Sequence, residues 1–368
     1  MNIEHFLNNN APLWMLGEDE NADIVLSTRI RLARNLNNVK FPITMTEEEA
    51  KYVDDRVTGI LLGVNEGEAK FSYFPMQQLS SLQRQILVEK HLISPNLAKR
   101  KLPASVLLTA DESVSIMINE EDHIRIQCLA PNLKLVETYR KAAKMDQWLN
   151  NSLTFAYDEQ FGFLTSCPTN VGTGLRASVM MHLPALTMTK QMNTINQMLA
   201  RLGMAVRGIY GEGSENLGNI YQISNQITLG KSEAEILEEL QSVVEQIIQR
   251  ERLARQQVFK RASVALEDRL FRSLGTLRYA RILTSEEAAN CLSDVRLAVD
   301  LNLIDDLSIQ VLNECMILIQ PGIIQQNAGV TLEPAERDLY RAKLVQSKLK
   351  EATISTTKGE KGEDYYDV

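Results

Sequence analysis

The sequence predicts an α+β fold in which an antiparallel β-sheet is flanked by helices and followed by an all-α region. Three observations carry this reading. Segments with strand-like alternation come as hairpins rather than as regular strand–helix–strand units. Segments with apolar residues every three to four positions stand between them. From about residue 232 onward only the helical spacing is left. At 368 residues the chain is long for one core, so a large unit and a smaller one are expected.

In chain order, residues 46–62 and 75–93 have helical spacing. The first opens on Glu47, Glu48 and Glu49, which suit the positive end of the helix dipole. Val106-Leu-Leu-Thr, Asp111-Glu-Ser and Val114-Ser-Ile-Met-Ile read as a hairpin, and 123–129 as a further strand. That strand places Ile124, Ile126 and Cys128 on one face and His123, Arg125 and Gln127 on the other. Residues 132–150 form an amphipathic helix. Short strands are expected around Phe163 and over 178–181, 205–209 and 220–224, with a helix over 187–202. Helices over 232–262, 285–301, 308–320 and 334–350 complete the chain. The boundary is placed near Arg255, giving units 1–255 and 256–351 and a polar tail, 352–368, expected to be disordered.

Bulk properties exclude several functions. A net charge of −8 argues against a general nucleic-acid binder, and few aromatics are interleaved with the basic residues for stacking. No apolar run is long enough to cross a bilayer, and Met1-Asn-Ile-Glu-His-Phe lacks the features of a signal peptide. Cys128, Cys167, Cys291 and Cys315 lie far apart with no metal-ligand spacing, so reduced thiols in the cytoplasm and no metal held by side chains are expected.

Residues 160–211 contain no Asp or Glu, yet they carry Arg176, Lys190, Arg201 and Arg207. Charge placed blindly at this composition would put roughly six or seven carboxylates there. A glycine-bearing stretch without negative charge points to a polyanion, most simply nucleotide phosphates. Within it Gly172-Thr-Gly-Leu-Arg-Ala177 matches the dinucleotide fingerprint only formally. The acidic residue required about twenty positions on is absent, and so is the Gly-Lys-Ser/Thr of a Walker loop. The glycines therefore read as a loop that brings backbone close to a neighbour, though an ordinary tight turn would look the same.

Ser27-Thr-Arg-Ile-Arg31 would set Arg29 and Arg31 side by side on one face of a strand. Alone, a basic surface stripe would give the same pattern. With Arg125, Arg176 and Arg207 they would supply planar, permanently charged forks suited to a triphosphate. Asn119-Glu-Glu-Asp-His123 could be a solvated acidic turn. Glu121 lies near Arg125 as Glu212 lies near Arg207, and carboxylates beside a phosphate site make sense if they hold a cation.

These motifs, together with Cys167-Pro-Thr-Asn-Val-Gly-Thr-Gly-Leu-Arg-Ala-Ser178 and Arg207-Gly-Ile-Tyr-Gly-Glu212, resemble the catalytic domain of phosphagen kinases over most of residues 24–255. The resemblance implies ATP bound, with Mg²⁺, by Ser27, Thr28, Arg29, Ile30, Arg31, His91, Arg125, Arg176, Ala177, Ser178, Val179, Met180, Arg207, Gly208 and Gly211. It implies a catalytic set of Glu121, Glu212, Cys167 and Asp122, with Glu121 the likelier base and Cys167 a thiol against the guanidine. Two departures stand out. Only 26 residues precede Ser27, where phosphagen kinases have a helical domain, and the helical region after Arg255 is not theirs. Both features match the bacterial McsB-type protein arginine kinases, of which the chain is identified as a member. In that family Arg-Asp-x-x-Arg-Ala binds phosphoarginine. It stands here as Arg337, Asp338, Arg341 and Ala342, with the two arginines one helical turn apart and Asp338 available for a guanidinium. The resemblance further implies a homodimer, a zinc-containing activator protein, Clp-type proteolysis or regulation of stress repressors, and protein substrates. A kinase of free arginine and a non-catalytic nucleotide-binding adaptor remain as alternatives.

Overall fold

The computed structural model describes residues 1–7, 12–63, 70–208 and 217–359. The chain runs β1 (Val25–Arg34), α1 (Glu47–Gly63), β2 (Phe71–Pro75), α2 (Ser81–Glu89), α3 (Pro95–Ala98), β3 (Ser105–Thr109), β4 (Val114–Ile118), β5 (Ile124–Pro131) and α4 (Leu135–Asn150). A small ribbon, β6 (Tyr157–Asp158) and β7 (Gly162–Phe163), precedes β8 (Leu175–His182), α5 (Pro184–Met188), α6 (Met192–Arg201), β9 (Met204–Gly208) and β10 (Ile220–Asn225). Helices α7 (Glu233–Tyr279), α8 (Ser285–Asp300), α9 (Ile309–Leu318), α10 (Pro321–Ala328) and α11 (Pro334–Gly359) follow.

Among the described residues eight strands form one antiparallel sheet in the order β2-β3-β4-β5-β1-β8-β10-β9. In β1, Ile30 and Leu32 face the same side as Ile124, Ile126 and Cys128 of β5 and Leu175, Ala177 and Val179 of β8, all at most 1% exposed. Against this apolar face pack α1, α4 and the first half of α7, through residues such as Val53, Met145 and Leu240. The side-chain period of two then sends Arg29, Arg31, Arg125 and Arg176 to the opposite face. A one-residue slip would drive those arginines into the core, so the register is strongly specified. The arginine face is covered at one end by Trp14 and Met15, Ile86 of α2, and Ile317 and Ile323 of α9 and α10.

Helix α7 starts on a reciprocal cap, Ser232 with Glu235, and kinks at Ala262 (φ −151°, ψ 48°). Before the kink its apolar residues, up to Ala254, join the sheet's core. Beyond it Leu266, Leu270, Leu274 and Leu277 join a second core with α8, α9 and α11.

Several segments differ from the sequence reading, among them an unforeseen strand β2 and an α7 that runs on past residue 262 to Tyr279. The helix expected over 75–93 begins only at Ser81, because Pro75 ends a strand and Ser80 with Gln83 builds a capping box. The helix expected over 187–202 is split in two, with Lys190 in the left-handed region at φ 57° between the halves. Helix α10, which starts on Pro321, carries no periodic signal long enough to stand out. Helix α11 continues past Ala352, the expected start of the tail, to Gly359, and residues 360–368 lie outside the described residues.

Arg255, where the sequence reading sets its boundary, lies inside α7 and is 5% exposed. Its Nε donates to Glu251 Oε1 at 2.9 Å, Nη1 to Asp300 Oδ2 at 3.2 Å and Nη2 to the Asp23 carbonyl at 3.1 Å. Glu251 in turn accepts from the Ala185 and Leu186 amides at the start of α5. One guanidinium therefore joins the segment ahead of β1, α5, α7 and α8. Burial pushes Asp300 up to about 6 even with Arg296 and Arg255 nearby. Arg255→Met would strand Glu251 and Asp300, and it should cost about 3–5 kcal/mol of stability in denaturant unfolding. A loss under about 1 kcal/mol would contradict this role.

Candidate active site

The arginines converge because four strands present them on one face. Arg31 of β1 sits opposite Arg176 of β8, Arg125 of β5 sits opposite Ala33, and Arg207 of β9 lies beyond Gln222 of β10. They line two adjoining cavities. The smaller, about 110 Å³, is walled by Arg29, Arg31, His91, Arg125, Arg207 and Gln222. The larger, about 660 Å³, adds Glu121, Cys167 and Arg176 while sharing Arg31, Arg125 and Arg207.

Each fork is held. Arg29 donates to Gln222 Oε1 at 2.5 Å and to Ser178 Oγ at 3.4 Å. Arg176 Nε donates to the Asn225 carbonyl at 3.3 Å. Arg125 is gripped twice, by Glu120 and by Glu121, both at 2.7 Å. Burial, then the charges of Arg125 and Arg176, bring Arg29 down to about 10. Burial and the three neighbouring arginines lower Arg31 well below its ordinary value. The buried Arg31 Nε has no hydrogen-bond partner among the described residues. Desolvated positive charge with an orphaned donor fits a bound polyanion such as nucleotide phosphate.

His91 closes the smaller cavity. Its backbone is left-handed at φ 58°, its carbonyl accepts from Gln127 Nε2 at 2.8 Å, and its ring meets Trp14 edge-on at 5.6 Å. Burial, then Arg29, bring its pKa down to about 3, so the ring is neutral at pH 7. Ser27, Ser178 and Met180 share this region with Trp14. Thr28, Ile30, Ala177 and Val179 do not face it, because alternation turns them away. Ile30, Ala177 and Val179 are core residues, and Thr28 Oγ1 donates to the Asn132 carbonyl at 2.7 Å. Any role for these residues in nucleotide binding is confined to their backbone. Gly208 is buried at the end of β9 opposite Tyr221.

Glu121, its side chain 36% exposed beside Arg125, also lines the larger cavity. Cys167 lines the same cavity with its Sγ 3.1 Å from Thr169 Oγ1. Asp122 is not in the cavity lining. It is wholly buried and accepts from Asn35 Nδ2 at 2.7 Å and the Ser166 amide at 2.6 Å. It therefore acts on the site by tying the Glu121 turn to the Cys167 loop. Glu120, which the sequence reading passed over, is the buried anchor of Arg125 and also accepts from Ser94 Oγ at 2.6 Å. The burial of Glu120 is not legible in residue order, since the turn that carries it has no regular period. Gly211 and Glu212 lie outside the described residues.

The glycines of the loop approach the chain itself. A Cβ on Gly172 (φ 113°) would stand 2.3 Å from the Thr228 carbonyl oxygen, and one on Gly174 (φ 63°) 2.6 Å from that of Ala33. They seat the Cys167 loop against β1 and the segment after β10.

The pattern of the ATP:guanido phosphotransferase C-terminal catalytic domain matches residues 52–254, and that of the protein-arginine kinase McsB C-terminal domain matches 263–360. The chain is 52% identical over 354 residues to a protein-arginine kinase of Bacillus licheniformis, covering 95% of this chain and 96% of that one. It is 51% identical over 361 residues to one of Geobacillus stearothermophilus, covering 98% and 99%. The chain belongs to the protein-arginine kinase family. Among solved structures, a duplicated taurocyamine kinase of Schistosoma mansoni with bound transition-state-analogue components aligns with TM-score 0.60 and 26% identity. The alignment covers 67% of this chain and only 35% of that one. Lombricine kinase aligns with TM-score 0.56 and 26% identity, over 67% of this chain and 70% of that one. The antiparallel sheet with flanking helices is thus the phosphagen-kinase fold, followed by the helical region of the protein-arginine kinases.

In that helical region Arg337 and Arg341 stand one turn apart on α11, but their surroundings differ. Arg341 is 1% exposed, and it donates to the Ile319 and Leu283 carbonyls at 2.8 Å each and to Asp338. Ala342 belongs to the second core. Asp338 thus takes the guanidinium of its own neighbour, while Arg337, half-buried, donates to the Leu332 carbonyl at 3.0 Å. Packing of α11 against α9, α10 and the α7–α8 turn turns Arg341 inward.

Two outcomes check whether Arg31 and His91 serve a nucleotide here. Arg31→Lys keeps the charge but loses the fork, and should raise the KM for ATP by about tenfold; an unchanged KM would remove Arg31 from the site. His91, with a folded pKa depressed from 6.5 to about 3, contributes stability present above pH 6.5 and lost as pH falls toward 3. His91→Gln should make the acid-side fall in stability shallower across that window, with buried His182 supplying part of what remains. An identical pH profile in the variant would show that His91 titrates normally.

Proposed function

We propose that this protein is an ATP-dependent protein arginine kinase, transferring the γ-phosphoryl group to the guanidinium of arginine side chains in proteins. The observation that carries the reading is one cavity lined both by the arginine forks and by Glu121 and Cys167. The near full-length likeness to protein-arginine kinases supports it.

A guanidinium is protonated at neutral pH and its lone pairs are delocalised, so it is a poor nucleophile. Glu121 is placed to grip it, aim one nitrogen along the line of transfer and take its proton as the N–P bond forms. The bond from the γ-phosphorus to the bridging oxygen breaks, and its electron pair leaves on ADP. Arg31, Arg125, Arg176 and Arg207 stabilise the charge spread over the transferring group. Mg²⁺ arriving on the nucleotide would add to that neutralisation. Glu212 is read from the family motif as the second clamp, and Cys167 as a polar or thiolate contact on the guanidine. In-line transfer needs no covalent intermediate, so Asp122 and Glu120 serve by holding Glu121 and Arg125 in place.

The finer reading extends the family likeness. It comprises a cytoplasmic homodimer, an activating zinc-containing partner, delivery of marked substrates to a Clp-type protease in stress response, and an allosteric phosphoarginine site at Arg337 and Asp338. For that last site Arg337 is read as the residue that meets a ligand, a reading supported by the burial of Arg341 and its Nε and Nη1 bonds within the fold.

Incubation with ATP and a denatured protein should yield acid-labile phosphate on arginine side chains. Glu121→Gln should lower kcat by about a hundredfold or more with little change in the KM for ATP. Label appearing only on free arginine would favour a phosphagen kinase. Near-normal turnover in Glu121→Gln would remove the assigned base.

A further inference from the structure

Beside the larger cavity lies a second depression of about 560 Å³, and the two share Glu121. Pro42 and Ile43 form one lip, and Lys99, Arg100 and Lys101, just after α3, form the other. Arg100 is tied down, donating to the Pro42 carbonyl, which fixes the two lips relative to each other. Lys99 and Lys101 are exposed, and among the described residues neither ammonium makes an ion pair or hydrogen bond. Ile43, 76% exposed, offers an apolar contact on the facing lip.

A polypeptide whose arginine reaches Glu121 must leave its backbone at the mouth of the larger cavity. Its neighbouring residues, spaced about 3.3–3.6 Å apart when extended, then fall into this depression. The substrate arginine itself brings positive charge to a region already rich in cations, so a basic flank is repelled and an acidic one attracted. We propose that the groove between Ile43 and Lys99–Lys101 receives the chain flanking the target arginine and selects for a carboxylate close to it, with Lys99 and Lys101 as the specificity determinants. This rests on Glu121 as the acceptor carboxylate.

The test is a set of single-arginine peptides, with Asp, Ser or Lys scanned through the three positions on either side. Each is assayed with the full-length wild type and with a Lys99→Glu/Lys101→Glu variant. In the wild type, Asp at the positions that reach the groove should raise kcat/KM about five- to tenfold over Lys, mainly through KM, and added salt should erode the difference. In the variant the order should invert. An unchanged melting temperature and KM for ATP would show that its fold and nucleotide site are intact. A wild type indifferent or averse to Asp at every position, or an Asp preference that survives the double charge reversal, would overturn the groove while leaving the kinase reading in place. Phosphate on free arginine but on none of the peptides would overturn the kinase reading, and the groove with it.

Discussion

Ridding one face of a sheet of charge while loading the other with arginine requires a fixed register, and the pairing of β1 with β5 and β8 supplies it. Ile30, Leu32, Ile126, Cys128, Ala177 and Val179 can be buried only if Arg29, Arg31, Arg125 and Arg176 point the other way. The apolar core thus holds together like charges that would otherwise separate. Burying guanidinium groups side by side is unfavourable, as the lowered values of Arg29 and Arg31 show, and the core offsets that cost. What results is a cluster of fixed guanidinium groups lining two adjoining cavities.

The carboxylates around this cluster divide the labour. Glu120 is buried and spends both oxygens on Arg125, Ser94 and the Glu121 amide, so it is structural support for the arginine cluster. Glu121, one residue on, keeps part of its carboxylate open to the larger cavity. Asp122 faces inward and couples that turn to the loop bearing Cys167. Three consecutive acids therefore hold an arginine, line the larger cavity and anchor a loop.

A second set of contacts joins the sheet to the helical region. Arg255 links α7 to α8 and to the segment before β1, and Glu89 at the end of α2 accepts from the Gly322 and Ile323 amides that open α10. Two residues after Glu89 comes His91, in a left-handed conformation on the wall of the smaller cavity. The contact to the start of α10 and the wall of the smaller cavity are thus carried by one short stretch of chain.

The sequence by itself determined the α+β class, the helical region after the sheet, and the gathering of Arg29, Arg31, Arg125, Arg176 and Arg207. A strand's side chains alternate with a period of two, and that period can be read from residue order alone. The acid-free stretch over 160–211 was a true but loose signal. Arg176, Arg207 and Cys167 reach the cavities, while Lys190 and Arg201 sit on or beside α6 away from them. Only the tertiary structure decided which acid of the 120–122 turn faces the cavity, that Thr28, Ile30, Ala177 and Val179 turn away, that the loop glycines approach Thr228 and Ala33, and that Arg341 is buried. The reason is physical: in turns and at helix contacts a side chain's direction is set by what packs against it, and that partner is distant in sequence.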